Sequence, residues 1–251
     1  PGALWVSSRQ SISWSGDVTD WYTLPRNAQA GDSTCSIPSI DEVYNAVKND
    51  FSIKDYPRIV LLYNHPNCGG GWGTVGPVYN YLPNGSFFWA SIGWIGLANY
   101  NGMWGNHPFE WKDLDFVLSH EIGHNLGVMH ANSWECGTGN VLYGNCDHRE
   151  YGNYFDVMGS GLYSLHFNSM FKEAFGWLDD SLEKVTSSGT YTLNALESSF
   201  GTRGIKIVPQ SKSNASYYLE YRKRIGFDAN LTNGGLFVNW RRYPGVQTIA
   251  S

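Results

Sequence analysis

One short segment constrains this chain more than any other. Residues 120 to 130 read His120-Glu121-Ile122-Gly123-His124-Asn125-Leu126-Gly127-Val128-Met129-His130. The pattern around them predicts a helix from about Glu110 to Leu126. On a helix, two histidines four residues apart lie on one face. Gly127 lets that helix stop, because glycine takes up left-handed backbone geometry at little cost. The chain can then turn sharply and bring His130 back beside the other two.

Three neutral imidazoles within reach of one ion suit zinc, and they leave a fourth position open for water. That is the arrangement of a catalytic site rather than a closed structural one. Glu121 follows the first ligand directly, which projects its carboxylate beside the ion rather than onto it. There it can take a proton from a water that the metal activates. Five fixed residue types at this spacing arise by chance in a chain this long with a probability of about 1 in 10,000. The sequence therefore predicts one zinc held by His120, His124 and His130, with Glu121 as general base.

Composition narrows the surroundings. The 251 residues are 42% hydrophobic and only 16% charged, which excludes a disordered chain, a collagen and a coiled coil. Seventeen basic residues against 22 acidic give a net charge of −5, and the basic ones are scattered, so nucleic acid is not an expected partner. The most apolar run, Phe87 to Ala98, is shorter than the roughly 20 residues that cross a bilayer. No membrane span is expected. The N-terminus lacks the regions of a signal peptide, so either one has been removed or the chain begins inside a longer precursor.

Cys35, Cys68, Cys136 and Cys146 lie in Gly-, Asn- and Ser-rich surroundings and form no C-x-x-C pair. With three Asn-x-Ser/Thr sequons, at Asn84, Asn214 and Asn230, the even cysteine count predicts a secreted, disulfide-bonded glycoprotein. Cys136 with Cys146 would close a short local loop and leave Cys35 with Cys68, but four cysteines allow three pairings, and spacing does not choose among them.

Along the chain, Ile40 to Phe51 reads as a helix capped by Ser39 or Asp41, and Arg58 to Tyr63 as a buried strand. Residues 68 to 85 suggest a strand between long loops, Phe87 to Ile95 a further strand, and Asn99 to Pro108 a loop. A third helix is expected from about Ser164 to Phe175. After Trp177 the runs Thr190 to Leu193, Gly204 to Val208, Tyr217 to Tyr221 and Gly235 to Trp240 predict short strands. The expected organisation is α+β, with residues 1–180 as one domain and 181–251 as a small β-rich companion. The chain ends close behind a β-like run, as expected either of part of a longer protein or of one piece left by processing.

The motif His120 to His130 resembles that of the metzincin clan of zinc endopeptidases, whose signature is H-E-x-x-H-x-x-G-x-x-H followed by a methionine-containing turn. Tyr154 to Ser160, Tyr-Phe-Asp-Val-Met-Gly-Ser, looks like that turn. Within the clan the chain is most similar to the gametolysin-like peptidases. That resemblance rests on these two segments, on Phe167 to Leu178, and on Tyr217 to Arg222 with Gly226-Phe227-Asp228. It implies a twisted mixed sheet with an active-site helix and a C-terminal helix, and an activity that hydrolyses peptide bonds of extracellular proteins. It also implies that Met158 lies beneath the metal site without ligating zinc. Substrate would be bound in extended form along an edge strand between Gly71 and Ile95.

Two features depart from the clan. Some members place an oxyanion-stabilising tyrosine two residues after the turn methionine, where this chain has Ser160, and Tyr163 is out of register. Others are kept latent by a propeptide cysteine, but the context of Cys35 does not match such a switch and favours a disulfide. His65, His107, His148 and His166 read as structural or surface histidines. Asp156 reads either as a partner of a ligand histidine or as a shaper of the turn. The stretch Asp228 to Asn233 invites calcium but lacks EF-hand spacing. The competing readings are a non-catalytic zinc-containing binding or adhesion protein, which the intact Glu121 disfavours, and a carbohydrate-binding module, which leaves the histidines unexplained.

Overall fold

Ser39 opens α1 (Ile40–Val47), the first helix among the described residues, through a reciprocal cap: its hydroxyl accepts from the Glu42 N–H, and the Glu42 carboxylate accepts from the Ser39 N–H. Val43 and Val47 form its buried stripe. The computed structural model describes residues 13–25, 35–65, 68–97, 100–102, 105–107, 111–137, 146–160, 163–209 and 215–242. They form a mixed α+β fold that divides into two compact units, one of residues Trp14–Val128 and one running on from Met129. The units part after Val128, and near residue 180 a sheet begins inside the second unit.

In the first unit the strands are β1 (Arg58–Tyr63), β2 (Gly69–Gly73), β3 (Val78–Tyr81) and β4 (Phe87–Leu97). β4 is central. It runs parallel to β1 on one side and antiparallel to β2 and β3 on the other. Among the described residues β2 and β3 thus form the edge on that side, while residues 93–96 of β4 are paired on both sides. Burial along β4 is continuous from Ala90 to Gly96, as expected of a strand covered on both faces. Phe88 and Ala90 pack with Val47, Ile53 and Leu82. The segment expected to be a loop after Asn99 contains a small hairpin, β5 (Tyr100–Gly102) with β6 (Gly105–His107). The central helix, α2 (Trp111–Asn125), follows, and its last seven residues are all buried.

In the second unit a hairpin of β7 (Ser133–Cys136) and β8 (Cys146–Arg149) is closed by the Cys136–Cys146 disulfide. The other bridge, Cys35–Cys68, lies in the first unit. The predicted helix from Ser164 shortens to α3 (Ser169–Ala174), because Asn168 is its cap and residues 164–168 are irregular. A four-stranded sheet then runs in the order β12 (Gly235–Arg242), β11 (Ala215–Arg222), β10 (Gly204–Ile207), β9 (Leu182–Val185). Thr190 to Leu193 is not a strand; the chain there is irregular, and Ala195 makes one isolated bridge to Tyr221. No helix among the described residues is long and apolar enough to cross a membrane.

A buried ionic cluster joins α3 to this sheet. Arg222 grips both oxygens of Asp228, at 2.6 and 2.7 Å, and reaches Glu220 at 3.0 Å. Glu220 in turn accepts from the Ser169 N–H at the start of α3, and Asp228 accepts from the His166 N–H. The Asp228 carboxylate is thereby fully engaged, which accounts for the acidic stretch that had invited calcium.

Candidate metal centre

The histidines of the central segment are positioned by a helix end built as the sequence anticipates. Gly127 has φ +100°, and the Gly127 and Val128 N–H groups return to the His124 and Gly123 carbonyls. This pair of bonds closes the helix and reverses the chain. The Gly76 N–H takes the same His124 carbonyl from the β2–β3 connection. The Asn125 side chain donates to the Thr74 and Ile92 carbonyls, pinning the last turn of α2 to β4.

His120, His124 and His130 each offer a ligand atom, and these atoms all lie within 4.8 Å of one another. His124 Nδ1 is 2.8 Å from the Val128 carbonyl, and His130 Nδ1 is 2.6 Å from Glu150 Oε1. A carbonyl and a carboxylate only accept, so each Nδ1 carries the hydrogen and each Nε2 keeps its lone pair for a metal. Burial lowers the pKa of His130 in spite of Glu150, which favours the neutral ring that a metal needs. Of the other histidines, His65 and His166 are buried, and His166 meets Lys172 Nζ at 3.3 Å; His148 lies on β8, 6.4 Å from the Trp134 ring. None of these joins the group of three among the described residues, and the His107 side chain lies outside them.

Glu121 is 5% exposed, and burial alone pushes its carboxyl up to about 8. Its Oε2 has no hydrogen-bond partner among the described residues. The carboxylate lies against β2 at two glycines. A methyl group at residue 71 would sit 2.5 Å from Glu121 Oε1, and one at 73 would sit 2.9 Å from both Oε2 and the Glu121 carbonyl. Gly71 and Gly73 are therefore the floor on which the carboxylate rests. The donor set fits a zinc ion: three convergent imidazoles of which two have assigned tautomers, and a neighbouring carboxylate with an orphaned oxygen.

Met158 is wholly buried, and its carbonyl accepts from the Ala131 N–H, which ties the turn to the residue following His130. Asp156 shapes that turn rather than meeting a ligand histidine: its oxygens accept from the Met158 and Asn168 N–H groups, both at 2.7 Å. Ser160 is buried and donates its N–H to the Tyr151 carbonyl, whereas Tyr163 is exposed. Cys35 is held in its disulfide. Sequence reasoning did not single out Glu150 or Tyr151. The Tyr151 ring stacks on His130 with centroids 3.7 Å apart and planes 31° apart. No family model, curated protein or solved structure matches the chain.

Proposed function

We propose that the protein is a secreted zinc-dependent endopeptidase of metzincin type, similar to the gametolysin-like peptidases. The observation that carries this reading is the buried Glu121 carboxylate with its unpartnered oxygen, fixed on the helix that bears two of three convergent histidines. A binding protein would need no such base.

His120, His124 and His130 would hold the metal. When bound, the zinc supplies an activated water and polarisation of the scissile carbonyl. Glu121 would take a proton from the attacking water on its Oε2 and later deliver it to the leaving amine. The floor of Gly71 and Gly73 keeps the carboxylate from swinging away. The substrate backbone binds in extended form along β2 and β3, whose outer edges pair with no strand among the described residues. Met158 supports the site from the turn. The two disulfides, and the exposed sequon residues Asn84 and Asn230, favour an oxidising extracellular setting.

The test compares the wild type with Glu121→Ala on a denatured protein mixture. About one zinc per chain in both, chelator-sensitive cleavage, and a loss of at least ~100-fold in the variant are expected. Equal cleavage by the variant would refute the role of Glu121. Zinc with no cleavage by an unblocked wild type would favour the adhesion or binding reading.

A further inference from the structure

His120 and His124 take their positions from a helix, but His130 stands on an irregular stretch beyond the Gly127 turn and needs another source of rigidity. We infer that Glu150 and Tyr151 are positioning residues for His130, forming a splint that sets the affinity of the metal site. This inference rests on the zinc reading above.

Three observations converge on it. First, Glu150 Oε1 lies 2.6 Å from His130 Nδ1, fixing the ring's rotation and tautomer. Secondly, the next residue covers the face of the same ring with its own. A tilt of 31° at 3.7 Å leaves little room for His130 to rock. Thirdly, Tyr151 has φ +59°, the single non-glycine residue with positive φ among those described. A bulky aromatic residue is unfavourable there unless its surroundings impose it. They do so from both sides: the Tyr151 N–H donates to Asn132 Oδ1 at 3.0 Å, and its carbonyl accepts from the Ser160 N–H at 2.9 Å.

That strained conformation has a geometric consequence. Glu150 follows the last residue of β8, and an extended backbone at 151 would send the two side chains to opposite sides. The left-handed turn brings both to one imidazole. Asn132 stands two residues after His130, and Ser160 two after Met158, so the splint is braced by the segments that carry the third ligand and the turn methionine. The Cys136–Cys146 disulfide holds the hairpin that delivers it. Glu150 is largely exposed on its outer side, so its replacement leaves the core intact.

The test is zinc affinity, read by competition with a chromophoric chelator, alongside urea unfolding of the zinc-free protein. Glu150→Ala should bind zinc ~10- to 100-fold more weakly, and Glu150→Gln, which keeps an acceptor, should recover most of the loss. Tyr151→Gly should also weaken zinc, although the zinc-free variant is no less stable because glycine relieves the backbone. Tyr151→Phe should restore affinity. A structural role alone would move stability and leave zinc unchanged. If the wild type binds zinc, and both Glu150→Ala and Tyr151→Gly bind it within twofold as tightly, the splint is refuted and the zinc site stands. If the folded wild type takes no zinc, both fall.

Discussion

Gly71→Ala adds one methyl group to the molecule and aims it at Glu121. The added carbon would lie 2.5 Å from Oε1, 2.6 Å from Cγ and 2.6 Å from Val117 Cγ1. Ordinary contact needs about 3.5 Å, so the carboxylate must retreat by about 1 Å. Displacements of that size in a reacting group lower rates by roughly 100-fold. Overpacking costs about 1–3 kcal/mol, offset in part because alanine lowers the entropy of the unfolded chain relative to glycine. The net loss of stability should be about 1–2 kcal/mol, small enough to leave the protein folded. None of the three atoms nearest that methyl belongs to a histidine, so zinc content should remain at about one per chain. The assay is therefore threefold: metal content, a urea melt, and cleavage of denatured protein, with Gly16→Ala as a control whose methyl meets nothing within 4 Å. A Gly71→Ala protein that is folded, zinc-loaded and fully active would refute the claim that Glu121 works from this floor.

Two further outcomes concern the second unit. Arg222→Ala strands the buried carboxylates of Asp228 and Glu220, and should lower unfolding free energy by about 3–5 kcal/mol in a urea titration. Lys172 has its pKa brought down to about 7, mainly by burial and further by Arg203 and Arg222, with Asp228 and Glu220 opposing. Between pH 7 and about 10 the unfolded chain thus binds the extra proton, and stability should rise with pH by up to about 1.4 kcal/mol per unit. Lys172→Met should flatten that slope relative to the wild type in urea melts at pH 7, 8 and 9; parallel slopes would contradict the burial of a neutral amine beside His166.

The parts of the molecule that local chemistry dictates were legible from residues alone. Arg58 to Tyr63 is a strand with the expected bounds, α2 ends one residue before the expected Leu126 while the expected start at Glu110 lies outside the described residues, and Gly127 has the left-handed backbone its position demanded. What escaped depends on partners distant in the chain. The glycines of β2 take their meaning from the Glu121 carboxylate, some fifty residues later in the chain, which occupies the space above Gly71 and Gly73. Ser164 to Asn168 has the composition of a helix, but the Asn168 N–H goes to Asp156 and the cap forms there instead. Glu150 and Tyr151 carry no periodic signal, and a tyrosine with positive φ runs against every local preference. Their contact with His130 is a tertiary fact, set by the hairpin and by Asn132 and Ser160.

The claim on which the rest depends is that three imidazoles hold one zinc and leave a position open. X-ray absorption at the zinc edge, on wild-type protein loaded with one equivalent of zinc, tests it most directly. Three imidazole nitrogens at about 2.0–2.1 Å with one further light ligand from solvent are expected, falling to two imidazoles or to no bound zinc in His124→Ala. A folded protein that binds no zinc, or whose zinc spectrum is unchanged when His124 is replaced, would contradict the account.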